Sequence, residues 1–138
     1  MILRSGTDLF GHVSESGLMG FNQAWAPQGS AYAVLLADTK FDGEPRNQGG
    51  TFFDVGLAAS QLVTQTEAMG LKAHYMGGVN HQIVSDIVGA KNREVICVIA
   101  IGKQGTTENQ SAEIVEREVA IRTRKDPAEI YSIDSKIA

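Results

Sequence analysis

Cysteine is almost absent from this sequence: the 138 residues contain one, Cys97. One cysteine cannot form a disulfide within the chain, and it excludes every metal site that needs two thiolate ligands. The longest apolar run, from Val95 to Ile101, is too short to cross a bilayer. The N-terminus has no basic segment followed by an apolar stretch, so no secretory leader is predicted. These absences predict a cytoplasmic protein that is not anchored in a membrane.

An excess of positive charge is also missing. Lys and Arg number 12 against 16 Asp and Glu, which gives a net charge of −4. Such a chain lacks the cations that displace counterions from a nucleic acid, so we expect no general nucleic-acid partner. Apolar residues make up 43% of the sequence, which predicts a single domain, residues 1–138, with a core of its own.

Side chains suited to direct catalysis are equally scarce. The three histidines are scattered along the sequence, and we predict no metal site. Ser60 and Ser85 lie in predicted helices, without the strand–turn–helix setting of a serine nucleophile. Cys97 lies within an apolar strand, where we expect a small hydrophobic residue with a raised pKa. No catalytic side chain is therefore predicted.

Hydrophobic patterning predicts helices that alternate with short strands. The predicted helices are Thr7–Leu18, Thr51–Met69, a helix from a cap at Asn80 to Gly89, and Ser111–Ile121. The predicted strands are Ser30–Ala37, Leu71–Met76 and Arg93–Ile101. Phe21–Gly29 and the stretch from Asp42 to Gly50 are predicted connections, Pro127 interrupts the C-terminal part, and the tail to Ala138 is expected to extend over another surface. The alternation predicts a layered α/β domain.

The helix predicted at Thr51–Met69 is unusually apolar. Thr51 followed by Asp54 is a variant of the capping box, and Gly70 stands where a left-handed C-terminal cap belongs. Only three residues between Phe52 and Val63 are polar, so the helix should be buried on most sides. In a chain this small, we expect a second subunit to supply part of that cover, which predicts a homodimer.

Met76, Gly77 and Gly78 follow one predicted strand and precede the helix that Asn80 caps. Glycines at such a place leave backbone N–H groups open and let a flat ring approach without meeting a Cβ. The N-terminus of the helix adds positive potential. The alternative interpretation is a plain strand-to-helix turn that needs no ligand.

Arg122 and Arg124, with Lys125, form a cationic cluster in an acidic chain. Arginines two residues apart point the same way on an extended segment and can bind one phosphate together. The alternative is a solvated run of charge, balanced by neighbouring acidic residues. Asn22 and Trp25 also allow two interpretations: a polar anchor with an aromatic lid over a ligand, or a tryptophan packed against the core.

An ordered series of segments runs through the sequence: Asn22–Pro27, Phe53–Leu62, Met69–Leu71, His74–Asn80 and Val98–Gly102. In this order they resemble the C-terminal portion of the nitroreductase family, the FMN-dependent NAD(P)H oxidoreductases. The similarity covers about residues 6–131. The family's Arg-x-Ser-x-Arg and Asn-x-Gln-Pro-Trp segments, which precede this portion, have no counterpart here. We therefore expect a family member truncated at its N-terminus.

The resemblance implies an α+β fold with α/β/α layers, a central, mostly antiparallel sheet and a long buried core helix. It also implies an intertwined homodimer with one FMN at each subunit interface. Met76, Gly77 and Gly78 would then meet the flavin ring, with the Gly78 N–H facing flavin N5. Arg122 and Arg124 match the basic pair that binds the FMN phosphate.

The activity implied by the resemblance is hydride transfer. NAD(P)H would reduce the flavin, and the reduced flavin would reduce a nitro compound, a quinone or a similar small-molecule acceptor. Two alternatives stay open: a non-catalytic dimeric remnant of the family that no longer binds FMN, and an unrelated small-ligand-binding domain with an α/β core. Flavin absorbance and oligomeric state distinguish the three.

Overall fold

A computed structural model describes residues 1–133 of the chain. The chain divides into two compact units, Met1–Gly105 and a second unit that begins at Thr106. That the two form the single domain expected from the sequence stays a prediction.

Six strands lie in the first unit. They are β1 (Ile2–Arg4), β2 (Ala31–Asp38), β3 (Lys40–Phe41), β4 (Glu44–Pro45), β5 (Lys72–Met76) and β6 (Arg93–Gly102). Four of them form one sheet in the order β1–β2–β6–β5, and β3 pairs with β4 in a small hairpin. Every pairing in the larger sheet is antiparallel, which confirms the expected sheet.

The helices of the first unit are α1 (Asp8–His12), α2 (Asn22–Trp25), α3 (Gln48–Ala68) and α4 (His81–Val88). A π-helical turn, Val13–Gly17, continues α1, and a 3₁₀ turn, Ala26–Gln28, follows α2. Thr7 caps α1, and Asn80 caps α4, whose end is marked by Gly89 with a φ of 67°. The cap and the end of α4 agree with the sequence prediction.

Side chains alternate between the two faces of the sheet, as the period of a strand requires. Tyr32 and Val34 point into the larger core cluster, to which α1, the π-helical turn and α4 contribute. Ala33 and Ile99 point to the opposite face, where they pack with Ala59 of α3. Helices therefore cover both faces, and the α/β/α layering is confirmed.

The structure differs from the prediction in several places, and β1 at Ile2–Arg4 was not predicted. The predicted loop Phe21–Gly29 contains α2 and the 3₁₀ turn, so that prediction was wrong. The long helix begins at Gln48 rather than Thr51, because the Asn47 side chain accepts a hydrogen bond from the Gly50 N–H at 3.3 Å and caps the helix. The hairpin of β3 and β4 replaces part of the predicted polar connection. At the C-terminal end of the long helix, Gly70 has the expected left-handed backbone, with a φ of 76°.

The long helix α3 has the length and the place in the layers that were expected. Within one chain, however, only Thr51, Ala59 and Thr66 of this helix are buried. Phe53 is 67% exposed and Leu57 is 50% exposed. Burial of this apolar surface would therefore have to come from outside the first unit.

The second unit contains α5 (Ala112–Val119), capped by Ser111, and a 3₁₀ turn at Pro127–Glu129. The helix agrees with the prediction at Ser111–Ile121, whereas the 3₁₀ turn was not predicted and begins at Pro127, where an interruption was expected. That the tail to Ala138 extends over another surface stays a prediction, and residues 134–138 of this tail lie outside the described residues. Among residues 1–133, no helix is long and apolar enough to span a bilayer.

Candidate functional site

The turn between β5 and α4 carries the residues singled out by the sequence. Met76 ends β5 and is buried at 1% exposure, within the larger core cluster. Gly77 and Gly78 follow it and are exposed. Asn80 then accepts a hydrogen bond from the Ile83 N–H at 3.1 Å and starts α4. Met76 thus anchors the turn in the core, and the two glycines form its exposed part.

Gly77 is not required by the described fold. Its φ is not positive, and a Cβ placed on it would have no described atom within 4 Å. Glycine costs backbone entropy relative to any other residue, so a glycine without a conformational or packing reason is unexpected in a plain turn. The surface around Gly77 is open to a flat group that comes close to the backbone.

Gly78 is held more tightly than its neighbour. Its carbonyl oxygen accepts hydrogen bonds from the Met19 N–H at 2.9 Å and from Asn22 Nδ2 at 3.1 Å. A Cβ on Gly78 would lie 3.0 Å from Asn22 Nδ2 and 3.0 Å from the Met19 carbonyl oxygen. The Gly78 N–H has no acceptor among the described residues. The turn thus presents the Gly78 N–H as a free backbone donor beside an open glycine surface.

The segment after the π-helical turn supports this loop. Leu18 and Val79 form an isolated antiparallel bridge, and the Asn80 N–H donates to the Gly17 carbonyl oxygen at 2.8 Å. A Cβ on Gly17 would come within 2.7 Å of a Val84 methyl group, so the close approach of this segment to α4 requires glycine there. The π-helical turn is therefore what brings residues 17–19 alongside the glycine turn.

Helix α2 contributes two side chains to the same region. Asn22 is a polar anchor, as one interpretation of the sequence held, but it binds the chain's own Gly78 carbonyl. Trp25 packs against the larger core cluster and meets the His74 ring edge-on, with centroids 4.9 Å apart and an 82° angle between planes. For Trp25, this favours packing against the core over the aromatic lid.

Burial in the core explains the shifted pKa values of two groups in the first unit, Cys97 and Tyr32. Burial raises the pKa of the Cys97 thiol, with an opposing contribution from its hydrogen bond to the Met76 carbonyl, and this agrees with the sequence prediction. Burial also raises the pKa of Tyr32, partly offset by its hydrogen bond to Ser14. Within residues 1–133, no group of three or more His, Cys, Asp or Glu side chains is placed to hold a metal ion.

Arg122 and Arg124 lie in the second unit, in a segment without helix or strand, and both are exposed. Arg124 Nη1 donates to the Thr123 carbonyl oxygen at 2.7 Å. Exposure leaves the two guanidinium groups accessible to an anion. That they act together with the Gly77–Gly78 turn stays a prediction.

A cleft of about 710 Å³ lies elsewhere in the first unit. Its walls come from β2, α3 and the loop before β6, with Val34, Val55 and Lys91 among the lining residues. None of the residues predicted to bind a ligand lines it. The cleft is therefore separate from the candidate site.

Comparison with known proteins adds to this geometry. The family model of the nitroreductase family matches residues 7–103. A search of curated proteins finds no match. Among solved structures, an oxidoreductase that contains FMN superposes with a TM-score of 0.87 at 22% identity, over 100% of this chain and 70% of its own.

Two further structures have the same fold. A nitroreductase-type protein from Bacillus subtilis gives a TM-score of 0.70 at 15% identity, over 96% of this chain and 75% of its own. A protein from Staphylococcus epidermidis designated an NAD(P)H:FMN oxidoreductase gives 0.64 at 19% identity, over 89% and 74%. Because the family model matches residues 7–103, which is more than half of the chain, the chain belongs to the nitroreductase family.

Proposed function

We propose that this chain binds FMN and works as a flavin oxidoreductase. The observation that carries the proposal is the Gly77–Gly78 turn, where an open glycine surface lies beside an unpaired backbone N–H. A flat ring fits such a surface because no side chain stands between it and the backbone. FMN-containing and NAD(P)H:FMN oxidoreductases among the structures of this fold support the same cofactor.

Different residues bind different parts of FMN. Gly77 gives the flavin ring access, and the Gly78 N–H donates a hydrogen bond to it; family resemblance aims this donor at N5. Arg122 and Arg124 bind the phosphate as charge-assisted donors. Bound FMN supplies the hydride chemistry, from NAD(P)H to a nitro compound, a quinone or a similar acceptor. This accounts for a site without a nucleophile or an acid–base pair.

We also propose that the chain works as a homodimer in the cytoplasm. The exposed apolar surface of α3, including Phe53 and Leu57, supports a second copy as its cover, since exposed apolar patches of this kind mark interaction sites. The free thiol of Cys97, the single cysteine, fits a reducing compartment.

Substitution of Gly77 tests the site most cleanly. In Gly77→Val, the new Cβ has no described atom within 4 Å, and the side chain blocks the approach of a ring. FMN should therefore bind about tenfold more weakly or worse, with the melting temperature close to that of the wild type. Gly105→Val is the matched control, because Gly105 is equally open and has no positive φ. Flavin fluorescence titration measures the affinity. A colourless wild-type protein that takes up no FMN would contradict the proposal and favour the non-catalytic remnant.

Gly78→Val should also lower flavin content and NAD(P)H oxidation. The structure adds a cost that the sequence did not show, because the new Cβ would press on Asn22 and on the Met19 carbonyl at 3.0 Å. Some loss of stability should therefore accompany the loss of flavin, which makes Gly77→Val the sharper test.

A comparison of FMN with riboflavin, which lacks the phosphate, tests the proposed role of the two arginines. Replacing both Arg122 and Arg124 by Ala should weaken FMN by a hundredfold or more, since each charge-assisted bond contributes about 1.5–3 kcal/mol. Riboflavin, which has no phosphate, should bind the double variant as it binds the wild type. Lys125→Ala serves as the matched control. Equal loss of FMN and riboflavin would contradict the phosphate assignment.

A further inference from the structure

Two donors converge on one carbonyl oxygen at the glycine turn. The Met19 N–H and Asn22 Nδ2 lie 2.9 and 3.1 Å from the Gly78 oxygen. Asn22 is 56 residues away in sequence, on α2, and reaches the turn only because of the fold. The Met19 contact is made by backbone, so Asn22 is the donor that a substitution can remove.

A second hydrogen bond links the two peptide groups of the turn. The Val79 N–H donates to the Gly77 carbonyl oxygen at 3.0 Å, which closes a three-residue turn around Gly78. The Gly78 carbonyl and the Val79 N–H belong to one peptide group. The Gly77 carbonyl and the Gly78 N–H belong to the peptide group that precedes it in the chain. The two groups are therefore connected in series.

Hydrogen bonds in series polarise one another. Donors on the Gly78 carbonyl make the Val79 N–H a stronger donor to Gly77. That bond in turn polarises the peptide whose N–H is the free donor on Gly78. The series of contacts thus runs from the Asn22 amide, through two peptide groups, to the Gly78 N–H, which has no acceptor among the described residues.

Packing and hydrogen bonds on both sides of the turn hold this series of hydrogen bonds in one geometry. Trp25 lies one helical turn after Asn22 and packs against the core and the His74 ring, which fixes α2. The bond from the Asn80 N–H to the Gly17 carbonyl fixes the other side of the turn. With both sides held, the Asn22 amide stays opposite the Gly78 oxygen without ordering a mobile loop.

We propose that Asn22 is a positioning residue of the flavin site: its amide orients and polarises the Gly78 N–H through the hydrogen-bonded turn. This inference rests on the proposed function, since it concerns the same N–H that is proposed to meet the flavin. Asn22 itself need not touch the cofactor. Its contribution is to keep the donor aligned before FMN arrives, which lowers the ordering cost of binding.

The test compares Asn22→Leu and Asn22→Asp with Gln23→Ala. Leu and Asp keep the approximate size of Asn, but neither donates to the Gly78 oxygen at neutral pH. Gln23 is the neighbouring residue of α2, and its side chain donates to the Glu15 carbonyl instead. Three quantities are measured for each variant: the amide hydrogen exchange of Val79 in the flavin-free protein, the FMN affinity, and the visible absorption spectrum of the bound flavin.

In both Asn22 variants, Val79 exchange should accelerate, FMN should bind about tenfold more weakly, and the flavin spectrum should shift. Gln23→Ala should match the wild type in all three. A wild type that binds no FMN overturns the proposed function and this inference together. If the wild type binds FMN and the Asn22 variants keep its exchange rate, affinity and spectrum, the inference alone is overturned. The same holds if the variants only lower the melting temperature, because Asn22 would then act on stability alone.

Discussion

The two faces of the sheet are closed to very different degrees by this one chain. On the face that α1 and α4 cover, Tyr32, Val34 and Val98 have no exposed surface at all. On the face that α3 covers, the buried cluster consists of Ala33, Ala59 and Ile99, with partly exposed side chains around it. One helix lying across a sheet leaves more of the sheet open than several short elements packed together.

The difference indicates which face the chain buries with its own residues and which face it leaves partly exposed. The closed face holds the glycine turn, because Met76 and Val79 belong to its core cluster. The open face holds the apolar surface of α3, which no described residue of the first unit covers. The candidate flavin turn is thus built by the chain itself, whereas the α3 face is the side on which a second subunit is proposed.

The largest expected effect is a loss of stability from a substitution in the closed face, the sheet face that α1 and α4 cover. Tyr32 stacks on Phe10 with ring centroids 4.2 Å apart, and its hydroxyl lies 2.9 Å from the Ser14 hydroxyl. Tyr32→Ala should therefore cost about 3–5 kcal/mol in the free energy of unfolding, as for other buried aromatic residues. Tyr75→Ala, on the open side and 45% exposed, is the matched control and should cost clearly less. Urea unfolding measures both, and equal losses would refute the comparison.

The next effect concerns the open face. A carboxylate introduced by Leu57→Asp would be buried without a partner in a dimer formed over α3, so the dimer should dissociate about a hundredfold more readily or worse. Ile83→Asp places the same charge at an exposed apolar residue of α4 and should leave the dimer intact. Analytical ultracentrifugation measures the oligomeric state. A wild type that sediments as a monomer at micromolar concentration would remove the homodimer proposal.

Local sequence signals were sufficient for most of the closed face. Asn80 and Gly89 bound α4 because a cap and a left-handed terminus depend on the residues next to them. The start of α3 was misplaced, since Gly49 and Gly50 discourage a helix and the pattern at Thr51 imitates a cap. Helix α2 was missed because four residues without a side-chain cap leave too little periodic pattern to detect.

The candidate site shows the same limit. The Gly77–Gly78 turn was found from its place between a strand and a helix, which is local information. The Asn22 contact to Gly78 joins residues far apart in sequence, and no spacing rule could pair them. The sequence did single out Asn22 as a polar anchor, but only the fold identifies what it holds.

The smallest effect is a change in how stability depends on pH, and it again concerns the closed face. Burial raises the pKa of Tyr32 above its ordinary value of 10.0, so the folded protein keeps this proton at a pH where the unfolded chain has lost it. The stabilisation is complete below pH 10 and is lost as the pH rises from there toward the pKa of the folded state. The free energy of unfolding should fall in that window by at most about 1.4 kcal/mol per pH unit for this one proton. Tyr32→Phe should remove that slope, even though it also lowers stability at neutral pH by leaving the Ser14 hydroxyl without its partner. Urea unfolding at successive alkaline pH values measures the slope, and a slope unchanged in Tyr32→Phe would show that the alkaline loss arises from other groups.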